Sequence, residues 1–255
     1  MPVEIVTIPC LSDNYAFLVH ESTTGETALI DIPEFGPIYE ELSCRDWDLT
    51  YVLITHHHSD HIDGLSELLD VYPAKVVGAK SDMFRLPNLD LAVEDGDVLS
   101  IGDVTVSVMD VSGHTLGHIA YYLADARAVF TADSLMALGC GRLFEGSPTQ
   151  MLQSLEKIAS LPPETSIYSG HEYTQSNGRF AVTIEPENAM LLRRLEDVRQ
   201  ARNAKRPTIP SLLKLELETN PFLRCGEASV QRSVGMEGAD RKAVFAELRK
   251  RKDAF

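Results

Sequence analysis

The chain has 255 residues, 44% of them apolar, and a formal net charge of −15. That is enough apolar material to bury a sizeable core, as one large domain or as a domain with an appendage. So acidic a balance argues against nucleic acid as a partner, and no apolar run is long and uncharged enough to span a membrane.

Residues 3–8, 15–20 and 26–32 are short β-branched and aromatic runs separated by turn residues, and they predict three strands. Residues 36–45 predict a short helix, and 48–55 an apolar strand that runs straight into the sequence THHHSDHIDG. Residues 65–72 have helical spacing and 74–79 predict another strand. A second round follows, with strands at 103–111, 118–124 and 128–132, a helix at 148–161 and a strand at 165–170. The repeated order of strands, loop and helix suggests a duplicated sandwich. After about residue 172 the composition changes: 186–206 predicts a long charged helix, RPTIPSL and TNPFL predict proline-punctuated turns, and 238–255 predicts a helix with densely basic last turns. No β-pattern returns, so these residues predict a helical appendage docked on an α/β domain. The N-terminus has no basic stretch followed by an apolar one, so no signal peptide is expected. Cys10, Cys44, Cys140 and Cys225 are too scattered for a C-x-x-C pair or a disulfide framework, which fits reduced thiols in a cytoplasm.

Four of the eight histidines fall within residues 55–64. In an extended segment, side chains at i and i+2 point the same way, so His56 and His58 can converge while His57 faces away. Asp60 and His61 follow as the chain turns into a helix near Ile62, aimed at a second point. Imidazole and carboxylate suit zinc, iron or manganese, and two such ions close together make a two-metal site. Further donors sit just after later strands: His114 and His118 in VSGHTLGH, Asp133 in FTADSL and His171 in IYSGHEYT. Asp133 has two oxygens and could bridge both ions. A lone histidine after a strand is usually structural, and that reading suits His57 and His118. The strand-anchored H-x-H-x-D-H with three more strand-end donors points to metal.

These motifs resemble the metallo-β-lactamase superfamily. Within it, LSDNYAFLV, GCGRLFEG, GHEYT, NPFLR and the terminal RKRKDAF resemble the hydroxyacylglutathione hydrolases, or glyoxalase II. The resemblance implies a four-layer αββα sandwich of residues 1–172, classed α/β (α+β), and a C-terminal helical domain of residues 173–255 that binds the glutathione thioester. It implies one metal on His56, His58 and His114, a second on Asp60, His61 and His171, and Asp133 bridging, with Asp60 and Asp133 as the catalytic carboxylates. The ions would be two divalent cations, zinc first, with iron or manganese as alternatives. It also implies substrate contacts from Arg142, Tyr173, Arg249 and Lys252. Where some relatives carry a tyrosine after the GCG motif, this chain has Phe144, so one neutral hydrogen bond of about 0.5–1.5 kcal/mol is missing. Arg249 and Lys252 are three apart and so share a helix face, while Lys250 and Arg251 suit a solvated face. Such a local cluster can attract an anionic substrate despite the acidic background, because fields beyond about 8–10 Å are screened.

The implied reaction is the second step of methylglyoxal detoxification. Hydroxide made available by the metals cleaves S-D-lactoylglutathione to glutathione and D-lactate. A cytoplasmic monomer acting on a small-molecule thioester is expected, without nucleic acid or membrane. The alternatives are another hydrolase of the fold, such as a lactonase, a mononuclear-iron persulfide dioxygenase, or a metal-binding protein without catalysis. The seven donors and the helical tail favour the thioesterase.

Overall fold

The computed structural model describes residues 3–255. The chain forms two compact units, one of residues up to 110 with 116–130, the other of residues 111–115 with 131–255.

The first unit opens as an antiparallel meander of β1 (Val3–Cys10), β2 (Asn14–Glu21) and β3 (Glu26–Ile30). From β3 the same sheet continues in parallel through β4 (Tyr51–Leu53), β5 (Lys75–Ala79) and β6 (Leu91–Val93). Parallel neighbours cannot be joined by a tight turn, so each step needs a crossover. α1 (Phe35–Arg45) makes the first, α2 (Ser59–Ile62) with α3 (Leu65–Val71) the second, and a 3₁₀ turn at Lys80–Asp82 begins the third. Strands covered on both faces carry unbroken apolar runs. Accordingly Ala28, Leu29, Ile30, Val52, Leu53, Val76 and Val77 are all buried.

Consecutive antiparallel strands follow: β7 (Val98–Ile101), β8 (Val104–Asp110), β9 (Ile119–Leu123) and β10 (Ala128–Ala132). β8 buries Val104, Val106 and Val108 and exposes Thr105 between them, the alternation of a strand with one face on the core. Gly102 turns the β7–β8 hairpin at φ +55°, and a Cβ there would lie 2.1 Å from Thr24 Oγ1. Phe17 of β2 and Phe130 of β10 meet with ring centroids 5.4 Å apart, so the core of this unit lies between its two sheets.

In the second unit, β11 (Leu135–Met136) and β12 (Gly139–Cys140) form a small hairpin. α4 (Pro148–Ala159) starts at a capping box between Ser147 and Gln150 with Pro148 in the first turn. β13 (Ser166–Ser169) lies beside the end of β10: the Thr131 hydroxyl donates to Tyr168 O at 3.4 Å, and Gly170 N–H donates to Ala132 O at 3.0 Å. Helices α5 (Thr174–Ile184) and α6 (Ala189–Asn203) follow, the second capped by the Asn188 side chain, which accepts from two backbone N–H groups. β14 (Ser211–Leu212) pairs with β13, which sets the order of the second six-stranded sheet as β14-β13-β10-β9-β8-β7. The chain closes with α7 (Leu213–Thr219), α8 (Ala228–Val234) and α9 (Arg241–Asp253).

A buried polar knot holds this unit together. Glu216 on α7 is fully buried and accepts from Arg194 on α6, from the Ser211 hydroxyl at 2.7 Å and from Leu138 N–H at 2.9 Å. Asn220 donates from Nδ2 to Met136 O at 3.1 Å and to Gly139 O at 2.9 Å, so the asparagine of the NPF sequence pins the β11–β12 hairpin. No helix is long and apolar enough to cross a membrane among the described residues.

Candidate metal centre

Each unit carries its own set of histidine and aspartate donors. In the first, the β4 strand extends beyond Leu53: Ile54 N–H donates to Val77 O at 2.9 Å, and Thr55 O accepts from Ile119 N–H at 3.0 Å. The extended chain then delivers alternate side chains to one side. His56 Nε2 lies 3.1 Å from His58 Nδ1, while His57 turns away to Asp82. His58 is the N-cap of α2, whose first turn presents Asp60 and His61, with His61 Nε2 3.9 Å from Asp60 Oδ2.

Asp31 organises this set. It follows β3 directly, at φ +56°, an uncommon conformation for a residue other than glycine, and is buried. Its carboxylate accepts from Thr55 N–H and from the Thr55 hydroxyl, both at 2.8 Å, and from His61 Nδ1 at 2.8 Å. The Thr55 hydroxyl spends its proton on Asp31, so its oxygen accepts from His56 Nδ1 at 3.0 Å. In neutral imidazoles, both histidines therefore carry the proton on Nδ1 and the lone pair on Nε2, the tautomer a metal ligand needs. Asp31, His56 and His61 each have a donor atom within 4.8 Å of the others. Asn14 Nδ2 donates to Asp60 Oδ2 and to Asp60 O, both at 3.0 Å, which fixes that carboxylate from β2. His118 is fully buried and stacks on His56 at 4.6 Å and 13°, a supporting contact.

In the second unit, one oxygen of Asp133 stands between two imidazoles: Oδ2 is 3.4 Å from His114 Nε2 and 3.3 Å from His171 Nε2. Ala132, at φ +39°, turns the chain at the end of β10 just before this aspartate. His114 Nδ1 donates to Arg142 O at 2.7 Å, so in the neutral ring Nε2 directs its lone pair at a carboxylate oxygen. Two acceptors facing each other at that distance suit a cation held between them. Gly141 is required beside them: a Cβ would fall 1.9 Å from Asp133 O and 3.0 Å from His114 Nδ1. Thiolates play no part in the donor set. Burial pushes the Cys10 thiol up to about 12 and the Cys140 thiol up to about 11. Imidazole nitrogens and carboxylate oxygens alone fit zinc, iron or manganese.

The four expected substrate contacts all lie in the second unit. Tyr173 is exposed and stacks on His171 at 4.7 Å and 7°. Arg142 is exposed, with its Nε 3.6 Å from Asp253 Oδ1. Lys252 is half-buried over Phe180 and Phe255, and its Nζ donates to Ser176 O at 3.4 Å. Burial, then the nearby Arg249 and Arg179 charges, lower its pKa. Arg249 is only 5% exposed, and its guanidinium donates to Cys140 O at 2.9 Å and to Asp253 at 2.9 Å. Asn14 and Asp31 hold donors of the first unit, and motif reading gave neither of them a role. An aspartate directly after an apolar strand, in ALID, is the one signal that marks Asp31.

Two family models divide the chain between them. The one described as the metallo-β-lactamase superfamily matches residues 12–171, and the one described as the hydroxyacylglutathione hydrolase C-terminus matches residues 172–255. A hydroxyacylglutathione hydrolase of Ruegeria pomeroyi is 59% identical over 255 residues, covering 100% of both chains. The chain belongs to the hydroxyacylglutathione hydrolase family. Another family member, from Methylococcus capsulatus, is 48% identical over 253 residues and 99% of each chain. Among solved structures, ETHE1 from Myxococcus xanthus superposes with a TM-score of 0.67 at 24% identity, covering 100% of this chain and 99% of that one. A protein solved in a di-iron-bound form gives 0.63 at 24%, covering 87% and 100%. These two likenesses show a shared fold of mixed sheets and helices, the family model over residues 12–171 makes it that of the metallo-β-lactamase superfamily, and hydroxyacylglutathione hydrolase membership rests on the sequence matches.

Proposed function

We propose that the chain is a thioester hydrolase that cleaves S-(2-hydroxyacyl)glutathione, S-D-lactoylglutathione among its substrates, to glutathione and a 2-hydroxy acid. In this reading the two donor sets are halves of one centre. His56, His58 and His114 hold one divalent ion, Asp60, His61 and His171 hold the second, and Asp133 bridges them. Zinc is the first choice, with iron or manganese as alternatives. When bound, such ions supply Lewis acidity at the thioester carbonyl and lower the pKa of water from 15.7 towards about 7.

The chain's own residues do the rest. Asp31 and Arg142 O fix the histidine tautomers, and Asn14 aims Asp60. Arg142, Tyr173 and Lys252 bind the glutathione moiety, whose carboxylates match the two cations. Arg249 is a positioning residue that holds the carbonyl of Cys140. The departing thiolate has a conjugate acid of pKa near 8.5, so no strong general acid is required. Residues 1–172 carry the chemistry and contribute Arg142 to the substrate's peptide portion, and 173–255 bind the rest of it, in a cytoplasmic monomer.

One observation carries the thioesterase reading above other hydrolases of the fold. The segment 140–142 is suspended between a metal-type histidine and the basic tail, with Arg142 O on His114 and Cys140 O on Arg249. A tail built into the donor set serves a substrate with a long anionic handle. The test is metal analysis and an assay with S-D-lactoylglutathione, a lactone and a β-lactam on one preparation. Two ions per chain and turnover of the thioester alone are expected. One ion per chain, or faster turnover of the lactone, would overturn it.

A further inference from the structure

The two donor sets leave one buried carboxylate beside them unexplained. Asp82 sits on the 3₁₀ turn after β5 with its side chain fully buried. Oδ1 accepts from Arg85 Nε at 2.6 Å, and Oδ2 accepts from His57 Nδ1 at 2.8 Å. Its peptide carbonyl accepts from the N–H groups of Arg85 and Leu86 at 2.9 and 3.1 Å, so the turn that carries it is itself fixed. On its other flank is Gly117, where a Cβ would lie 2.3 Å from the Asp82 Cβ. Only glycine admits that approach. The next residue, His118, stacks on His56.

His57 is the middle of three consecutive histidines in extended chain, and its ring is held by Asp82 and stands edge-on to His58 at 5.0 Å between centroids. Holding the middle ring sets the rotation of the segment about its own axis, and with it the aim of both outer imidazoles. Asp82 therefore touches the histidine segment directly through His57, and it also packs against Gly117, whose neighbour His118 stacks on His56.

We propose that Asp82, acting through His57, is a positioning residue that presets His56 and His58 for one of the two ions. The inference rests on the dinuclear reading above. Asp60 and His61 are held separately, by Asn14 and Asp31, so the effect is confined to one ion. Partners that orient metal-binding histidines are typically worth about 10- to 100-fold in metal affinity.

The experiment is a chelator-competition titration of the full chain with zinc, together with the visible spectrum of the cobalt-loaded protein. Wild type, Asp82→Asn, His57→Phe and the double variant are compared. Each single variant is expected to weaken one binding step by about 10- to 100-fold. It should leave the other step unchanged and shift the cobalt bands, and the double variant should be no weaker than the worse single one. Unchanged affinity in either single variant, or losses that multiply in the double, would overturn the proposal. Should Asp82→Asn fail to fold for want of the Arg85 ion pair, His57→Phe carries the same test alone, since His57 is partly exposed. A wild type that binds no zinc would overturn the dinuclear reading instead.

Discussion

Asn220→Ala is expected to destabilise the fold by about 3–5 kcal/mol. The side chain is fully buried. Its Nδ2 donates to Met136 O at 3.1 Å and Gly139 O at 2.9 Å, and its Oδ1 accepts from Phe222 N–H at 3.1 Å. Truncation leaves three buried backbone groups without that partner, each worth about 1–3 kcal/mol. The lower part of the summed range applies because a two-residue-strand hairpin can relax towards water. Typical stabilities are about 5–15 kcal/mol, so the variant should still fold at low temperature. Urea unfolding should show a lower midpoint at unchanged slope. Asn220→Asp keeps the acceptor for Phe222 but sets a carboxylate oxygen against two carbonyls and against Glu216, so it should be at least as damaging. A loss below about 1 kcal/mol for the alanine variant would refute this accounting, as would an aspartate variant as stable as wild type.

Asp133→Asn should lower metal content and cut turnover by at least the roughly 10- to 100-fold seen when outer partners are removed; wild-type turnover would contradict a bridging role. Lys252→Ala should raise KM for the glutathione thioester more than it lowers kcat, and an unchanged KM would remove the residue from the substrate site. Glu185 makes a pH prediction. Burial pushes its carboxyl up, but hydrogen bonds from Arg224 and Ser229 and the Arg224 charge outweigh that, leaving it below its ordinary value of 4.5. A depressed carboxyl stabilises the fold above the unfolded pKa, and the contribution is lost as pH falls through the folded one. Glu185→Gln should therefore be less stable at neutral pH and should flatten the stability curve below about pH 4.5. A parallel curve would rule the residue out as an acid-sensitive element.

Local periodicity made much of this architecture legible. The strand into THHHSDHIDG, the i, i+2 pairing of His56 with His58 and the basic last turns of α9 all follow from short-range pattern. α5 does not, because Ser176, Asn177 and Gly178 are poor helix formers; tertiary packing makes it helical. A Cβ at Gly178 would lie 2.3 Å from Leu195, so that glycine is what lets α5 and α6 approach. The partners that aim the histidine and aspartate donors were illegible for another reason. Asp31 reaches His61 across 30 positions and Asn14 reaches Asp60 across 46, separations that no window reads. Arg249 shows the same limit: charge and helical spacing place it on a face, but not whether that face looks outward or into Cys140 O.

The suspension of residues 140–142 between His114 and Arg249 bears on how such enzymes can diversify. If the last helix binds the substrate and His114 a metal, as proposed, replacing that helix would also slacken the backbone beneath the His114 imidazole, so recognition and cation retention would drift together. A successful graft would have to exchange the glycine-rich connector and the tail as one cassette.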